Sequence, residues 1–338
     1  MILISHYDNR YLPAYFSESF FYEEAWIYVE FFLVLSGFVI GLNYNEINTI
    51  KSFSIYLKKR FARLYPLLFF TVALFFMIDI LSNIFFEKYI NTPESIPSIM
   101  LRTIDSLLFM NSTPLISNSL GMNEPSWSIS VEMICYVLFG IITLFCKRRL
   151  KIALYIVIIV LAAIFRYYKL NGYFIGYNLM FLRGLISFGL GYILYEVSKW
   201  NIVLNKSFEY IVPVLVILPM YLVHNAKGFI TEVVILNASF FLTILILLKT
   251  DGFLTWLLNT KTLQYLGKLS YSIYLNHLLL LLIISRAAAL FFDINEPNIV
   301  HIPILVVAGL FIVLFSNYTY KYVEVKAGNQ LKKLLLKA

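Results

Sequence analysis

Apolar runs near or above the roughly 20 residues needed to cross a bilayer recur along this chain, separated by short segments that hold most of the lysine and arginine. The run from Ile152 to Phe165 is apolar on all sides, so none of its faces is reserved for water. Composition agrees: 60% of residues are hydrophobic and 14% charged, against about 25% charged in a soluble domain. A transmembrane β-barrel is excluded, because its strands read as alternating segments of about ten residues. The expected fold class is all-α, a polytopic transmembrane helix bundle. It forms one integral-membrane domain over residues 1–338, with no appended soluble domain.

The runs and their polar breaks predict about nine spans, near residues 26–43, 64–86, 127–146, 152–167, 174–197, 209–223, 229–248, 265–290 and 299–320. One set of alternate loops is basic: Lys51 to Arg63, Lys147 to Lys151, Lys199 and Lys206, Lys249 to Lys268, and a tail from Lys321 to Lys337. The other set is poorer in basic residues and includes Asp293 and Glu296. The positive-inside rule makes the first set, and the C-terminus, cytoplasmic. The net charge of +8 then reflects loops facing anionic membrane lipids, and nothing supports a nucleic-acid partner. Cys135 and Cys146 share one apolar segment without metal-ligand spacing, so they read as packing residues and no metal is expected.

Residues 7–25, with Asp8, Arg10, Glu18, Glu23 and Glu24, fall on the outer side by this alternation. Only Met1 to Ser5 precede them as apolar sequence, too few to span and without the basic start of a signal peptide. The expectation is a sequence that begins inside a first helix, giving about ten helices in a complete chain. The loop 87–126 carries an apolar centre, Ile99 to Met110, with Arg102 and Asp105 on it; this predicts a re-entrant or interfacial helix.

Ionisable groups inside spans are expensive and usually face the bundle interior or a cavity. Glu30 and Gly37 lie two helical turns apart on one face, where Gly37 suits either a close helix contact or a ligand. Arg60 and Arg63 are i,i+3 neighbours at the mouth of a span, and guanidinium forks suit phosphates. Glu132 sits one turn after Ser128 and has no bland explanation, whereas Trp127 reads as an interfacial anchor. Arg183 is either the counter-charge of Glu132 or a phosphate ligand. Tyr274 and His277 share a helical face, where His277 fits a buried structural role or a catalytic one. His224 and His301 fall at outer span ends and read as solvated, and His6 sits at the outer end of the partial helix.

Taken in order, Val29-Glu30 through Ser36-Gly37-Phe38, Lys59-Arg60-Phe-Ala-Arg63-Leu-Tyr-Pro66, Trp127-Ser128-Ile-Ser130-Val-Glu132 and Ser270-Tyr271-Ser-Ile-Tyr274-Leu275-Asn276-His277 resemble the acyltransferase 3 family of integral-membrane acyltransferases. Tyr322-Val323-Glu324 is similar to the family's closing Tyr-x-x-Glu-x-Pro, with Lys326 where the proline is usual. The resemblance implies an enzyme of the bacterial inner membrane. It would take acyl-CoA, most often acetyl-CoA, as co-substrate with no bound cofactor, and a hydroxyl of a surface polysaccharide or its lipid-linked glycan precursor as acceptor. On this reading Arg60 and Arg63 hold CoA phosphates, and Ser36-Gly37 shape the path of the thioester. His6 matches the family's first-helix histidine and acts as general base or acyl carrier. Glu132 and Ser128 orient a catalytic group or the sugar. A transporter or flippase for a lipid-linked glycan explains intramembrane charges equally well, although no inverted repeat is visible.

Overall fold

The computed structural model describes residues 2–7, 12–85, 94–117, 120–170, 179–288 and 301–337. Asp8, Arg10, Asp293, Glu296 and the side chain of His301 lie outside the described residues. Regular structure among the described residues is helical throughout. Three short helices, α1 (Ile2–Ser5), α2 (Ala14–Ser17) and α3 (Phe20–Glu23), lead through a 3-10 turn at Ala25–Ile27 into α4 (Tyr28–Asn43). There follow α5 (Ile50–Phe85), α6 (Ile96–Leu107), α7 (Trp127–Phe145), α8 (Arg148–Leu170), α9 (Phe181–Ser198), α10 (Val212–Asn225), α11 (Leu236–Lys249) and α12 (Phe253–Leu258). The chain closes with α13 (Lys261–Ala288), α14 (His301–Thr319) and α15 (Gly328–Lys337). Two wide π-helical segments, Ile230–Ile235 and Tyr320–Ala327, lead into α11 and α15.

Among the described residues, 8 helical stretches are long and apolar enough to cross a membrane. Of the expected segment 174–197, the described part forms α9. The span expected at 64–86 is longer than its apolar core suggested. Here α5 runs for 36 residues, roughly 54 Å at the α-helical rise, against a hydrocarbon core of about 30 Å. Its early start has a local cause. Ser52 N–H donates to Thr49 Oγ1 at 3.1 Å and Thr49 N–H to Ser52 Oγ at 3.0 Å, a reciprocal cap that satisfies two free donors. The whole basic motif, Lys58 to Arg63, is therefore helical.

The closest packing joins α4 to α9. A Cβ on Gly37 would overlap the carbonyl oxygen of Phe188, and one on Gly191 the carbonyl of Val34. The two backbones touch, which only small residues permit. Of the two readings of Gly37, the close helix contact is the one seen here. Around this pair α8 covers α9, α7 packs between α5 and α9, α13 pairs with α14, and α15 lies along α5. Phe139, Phe188, Tyr192 and Phe240 fill the centre.

The basic loops meet at one end of the bundle. Lys151 Nζ donates to the Asn45 carbonyl at 2.8 Å, Arg148 pairs with Glu196 at 2.7 Å, and Lys249 donates to the Trp200 carbonyl at 2.9 Å. At the other end α6 lies on the bundle, with Ile99, Asp105 and Ser106 buried and Ile96, Met100 and Ile104 outward. It starts three residues earlier than the expected Ile99. Burial raises the carboxyl of Asp105 above its ordinary value, although the Ser117 hydroxyl donates to it. A carboxyl raised in the folded state favours folding when protonated, and this advantage is lost as pH rises from the ordinary Asp value through the raised one. Asp105→Asn is therefore expected to raise the unfolding midpoint in detergent at neutral pH. The gain should vanish below about pH 4, and an equal gain at both pH values would contradict this origin.

Candidate active site

Helices α4, α5, α7 and α13 converge on a cavity of about 210 Å³ lined by Arg60, Arg63, Ser128, Glu132, Tyr136, Ser270, Tyr271 and Tyr274. Glu132 holds its centre. Its Oε1 accepts from Ser36 Oγ at 2.6 Å and from Tyr136 OH at 2.5 Å. The helical spacing of Glu132 and Tyr136 supplies one contact, and the close α4–α9–α7 packing brings in Ser36. Ser128, one turn earlier, donates to Tyr274 OH at 2.9 Å, and Tyr274 OH donates to the Pro125 carbonyl at 2.9 Å. Ser128 and Glu132 thus face one cavity from α7, as their spacing implies.

A second, more open cavity of about 490 Å³ lies against the first at the basic end of the bundle. Lys59, Arg60, Arg63, Lys268 and Lys332 line it, with Glu324 the one acidic residue in its wall among the described residues. Arg60 and Arg63 border both cavities. Arg60 donates to Tyr44 OH at 2.8 Å, and its guanidinium lies 4.8 Å from the Tyr44 ring centre. Arg63 is tied more firmly. It pairs with buried Glu324, whose Oε2 accepts from Ser272 Oγ at 2.6 Å, and it lies 5.4 Å from the ring of Tyr271. Its side chain is still 46% exposed, so it keeps donors for a second anion. The π-helical segment Tyr320–Ala327 turns Glu324 inward, and such segments often mark functional positions.

A third cavity, about 380 Å³, shares Phe32, Ser270 and Tyr274 with the first. His277 belongs to its wall and is 1% exposed. Its Nδ1 lies 2.6 Å from the Tyr274 carbonyl oxygen. The ring of His6 meets that of His277 edge-on, with centres 4.9 Å apart. His6 itself is half-buried, its Nδ1 2.9 Å from the Ile2 carbonyl.

Three expectations need correction. Arg183 does not pair with Glu132. It pairs with Glu30 from α4, Nε to Oε1 at 2.5 Å, both side chains 2% exposed. The two carboxylates face different neighbours: Glu30 points at α9, and Glu132 at the hydroxyls of Ser36 and Tyr136. Trp127 is not an interfacial anchor, because it is 8% exposed with Arg183 5.0 Å from its ring, while Trp26 lies 4.6 Å from the same guanidinium. His224 is half-buried, its Nδ1 3.2 Å from a Glu23 carboxylate oxygen. Glu23, Glu24 and His224 group closely enough to hold a cation, but the Lys227 ammonium, 3.1 Å from Glu24, already supplies the positive charge there. Cys135 and Cys146 are free thiols.

Sequence reasoning missed the buried Arg166–Glu232 pair, 2.9 Å apart and 3% exposed on each side. Its signal was present, since each residue is a lone charge beside or within an apolar run. Glu324 was recognised as a motif residue but not as the partner of Arg63. Tyr136 went unread because tyrosine is too common here, at 25 residues, to be informative by itself, and Tyr271 was noted only as a motif residue.

A family model described as an acyltransferase domain matches residues 1–318 of the chain. No curated protein and no solved structure shows a detectable match.

Proposed function

The chain belongs to the acyltransferase 3 family and is an integral-membrane acyltransferase; from that premise we propose that it moves a short acyl group, acetyl above all, from acyl-CoA to a hydroxyl of a surface glycan or its lipid-linked precursor. One observation carries the donor assignment: the basic cavity meets the Glu132 cavity at Arg60 and Arg63. A nucleotide with several phosphates fits the first, with its thioester arm reaching past the two guanidinium groups. A cavity of about 210 Å³ suits a short acyl chain better than a fatty one.

The residues divide the work by position. Arg60, Lys59, Lys268 and Lys332 neutralise phosphate, while Arg63, already half-neutralised by Glu324, gates the passage. Glu132, Ser36 and Tyr136 make a fixed hydroxyl and carboxylate cluster beside the thioester. Ser128 and Tyr274 separate this cluster from the cavity where an imidazole of the His6–His277 pair receives the acceptor's proton. The basic end faces the cytoplasm on this reading, where acyl-CoA is available.

Membranes carrying the chain are expected to transfer label from acetyl-labelled acetyl-CoA into glycan. Uptake of glycan into sealed vesicles without label transfer would replace this reading by transport. Arg60→Ala is expected to raise KM for acetyl-CoA about 10- to 100-fold, because hydrogen bonds to charged groups contribute about 1.5–3 kcal/mol. Its kcat should change much less, and added salt should narrow the difference from wild type.

A further inference from the structure

The cavity around Glu132 is polar toward the basic end of the bundle and apolar away from it. Ser36 on α4 donates to Glu132 on α7 at 2.6 Å. Leu33 and Ile129 stand three residues before these two, so both line the same cavity about one helical turn away. Helices α4 and α7 run toward the basic end, where Lys151 meets Asn45 and Arg148 meets Glu196. Helix α5 runs away from it and places Leu64 directly after Arg63. Leu33, Leu64 and Ile129, with Val29 one turn beyond Leu33, therefore wall the end of the cavity opposite Arg60. Each of the four is at most 5% exposed, and all belong to the main apolar core. Phe32 differs: it is 46% exposed and borders the third cavity as well.

We infer that Leu33 and Ile129 are specificity-determining residues, the apolar stop that limits the donor to acetyl. The inference rests on the acyl-transfer reading above. A thioester arm that enters past Arg60 and Arg63 brings its carbonyl level with Glu132, and its methyl group then meets Leu33 and Ile129. Transfer breaks the bond from acyl carbon to sulfur and forms one from that carbon to the acceptor oxygen, while the hydroxyl proton leaves with the CoA thiol. The methyl group takes no part in this exchange. What lies against it can therefore select among donors without acting on the chemistry. A close-packed apolar wall yields little to an added methylene, and each methylene of misfit changes kcat/KM by about 10-fold or more.

The test measures transfer of label from acetyl-, propionyl- and butyryl-CoA into glycan by membranes carrying wild type, Leu33→Ala, Ile129→Val or Phe32→Ala. Ratios of kcat/KM between donors within one protein cancel differences in its amount. Wild type is expected to favour acetyl over butyryl by about 100-fold or more. Leu33→Ala removes an isopropyl group, which makes room for the added methylenes of butyryl, and should narrow that ratio to about tenfold or less. Ile129→Val removes a single methylene and should raise propionyl relative to acetyl by about tenfold, with butyryl still poor. This milder variant decides the matter if Leu33→Ala fails to accumulate in the membrane. Equal use of acetyl and butyryl by wild type would overturn the inference, as would ratios unmoved in both variants. A ratio narrowed by Phe32→Ala alone would also overturn it, by sending the acyl tail toward the third cavity. Absence of transfer from every donor in wild-type membranes would instead remove the acyl-transfer reading itself.

Discussion

Replacing Arg183 with leucine is expected to destabilise the bundle by about 3–5 kcal/mol, the cost of stranding one member of a buried ion pair. Glu30 would be left without its partner at 2% exposure, and Trp26 and Trp127 would lose the cation that lies against both rings. Arg183→Lys is not a mild substitute, since an ammonium cannot reproduce the contact of two guanidinium nitrogens with Glu30 while also lying against both indoles. The double variant Glu30→Leu with Arg183→Leu should recover most of the loss, because a well-packed apolar pair in place of a buried ion pair is often neutral. Unfolding midpoints in detergent for the four proteins of this cycle give the coupling directly. Additive single and double effects would show that the pair is not a unit.

Glu132→Ala is expected to lower kcat for acyl transfer about 100-fold while leaving the chain folded. The carboxylate is the shared acceptor for Ser36 and Tyr136, and its loss releases both hydroxyls beside the 210 Å³ cavity. Misplacement of about 1 Å among such groups costs on the order of 100-fold in rate. Tyr136→Phe removes one donor and keeps the carboxylate, so its loss should be about tenfold, well below that of Glu132→Ala. Labelled acetyl transfer at saturating acetyl-CoA measures both. Undiminished kcat in Glu132→Ala would separate this cluster from the chemistry.

Much of this architecture was legible because hydrocarbon leaves few choices. Runs such as Ile152–Phe165 identify spans, and scarce charges inside them identify residues that need partners. Arg60, Arg63, Ser128 and Glu132, all singled out this way, border one cavity. Which partner each charge takes was not legible. Arg183 can reach Glu30 only because Gly37 and Gly191 let α4 and α9 touch, and the mutual rotation of two helices is not written in either alone. The same holds for Arg63 and Glu324, which are brought together across α5 and the π-helical segment Tyr320–Ala327. The length of α5 escaped for a different reason: hydropathy reports where lipid is, while the cap at Thr49 reports where the helix starts.

The two wide segments at Ile230–Ile235 and Tyr320–Ala327 also act as phase adjusters. An α-helix advances about 100° per residue, so a turn that holds an extra residue rotates everything after it relative to everything before. Each adjuster carries a buried carboxylate, Glu232 against Arg166 and Glu324 against Arg63, which works as a detent that locks the chosen angle. Helix α14 can therefore keep its outward face, with Val307, Leu310 and Leu314 exposed, while α15 turns to lie along α5. One continuous rod meets two sets of angular demands, an exposed apolar face on one length and the basic cavity on the next.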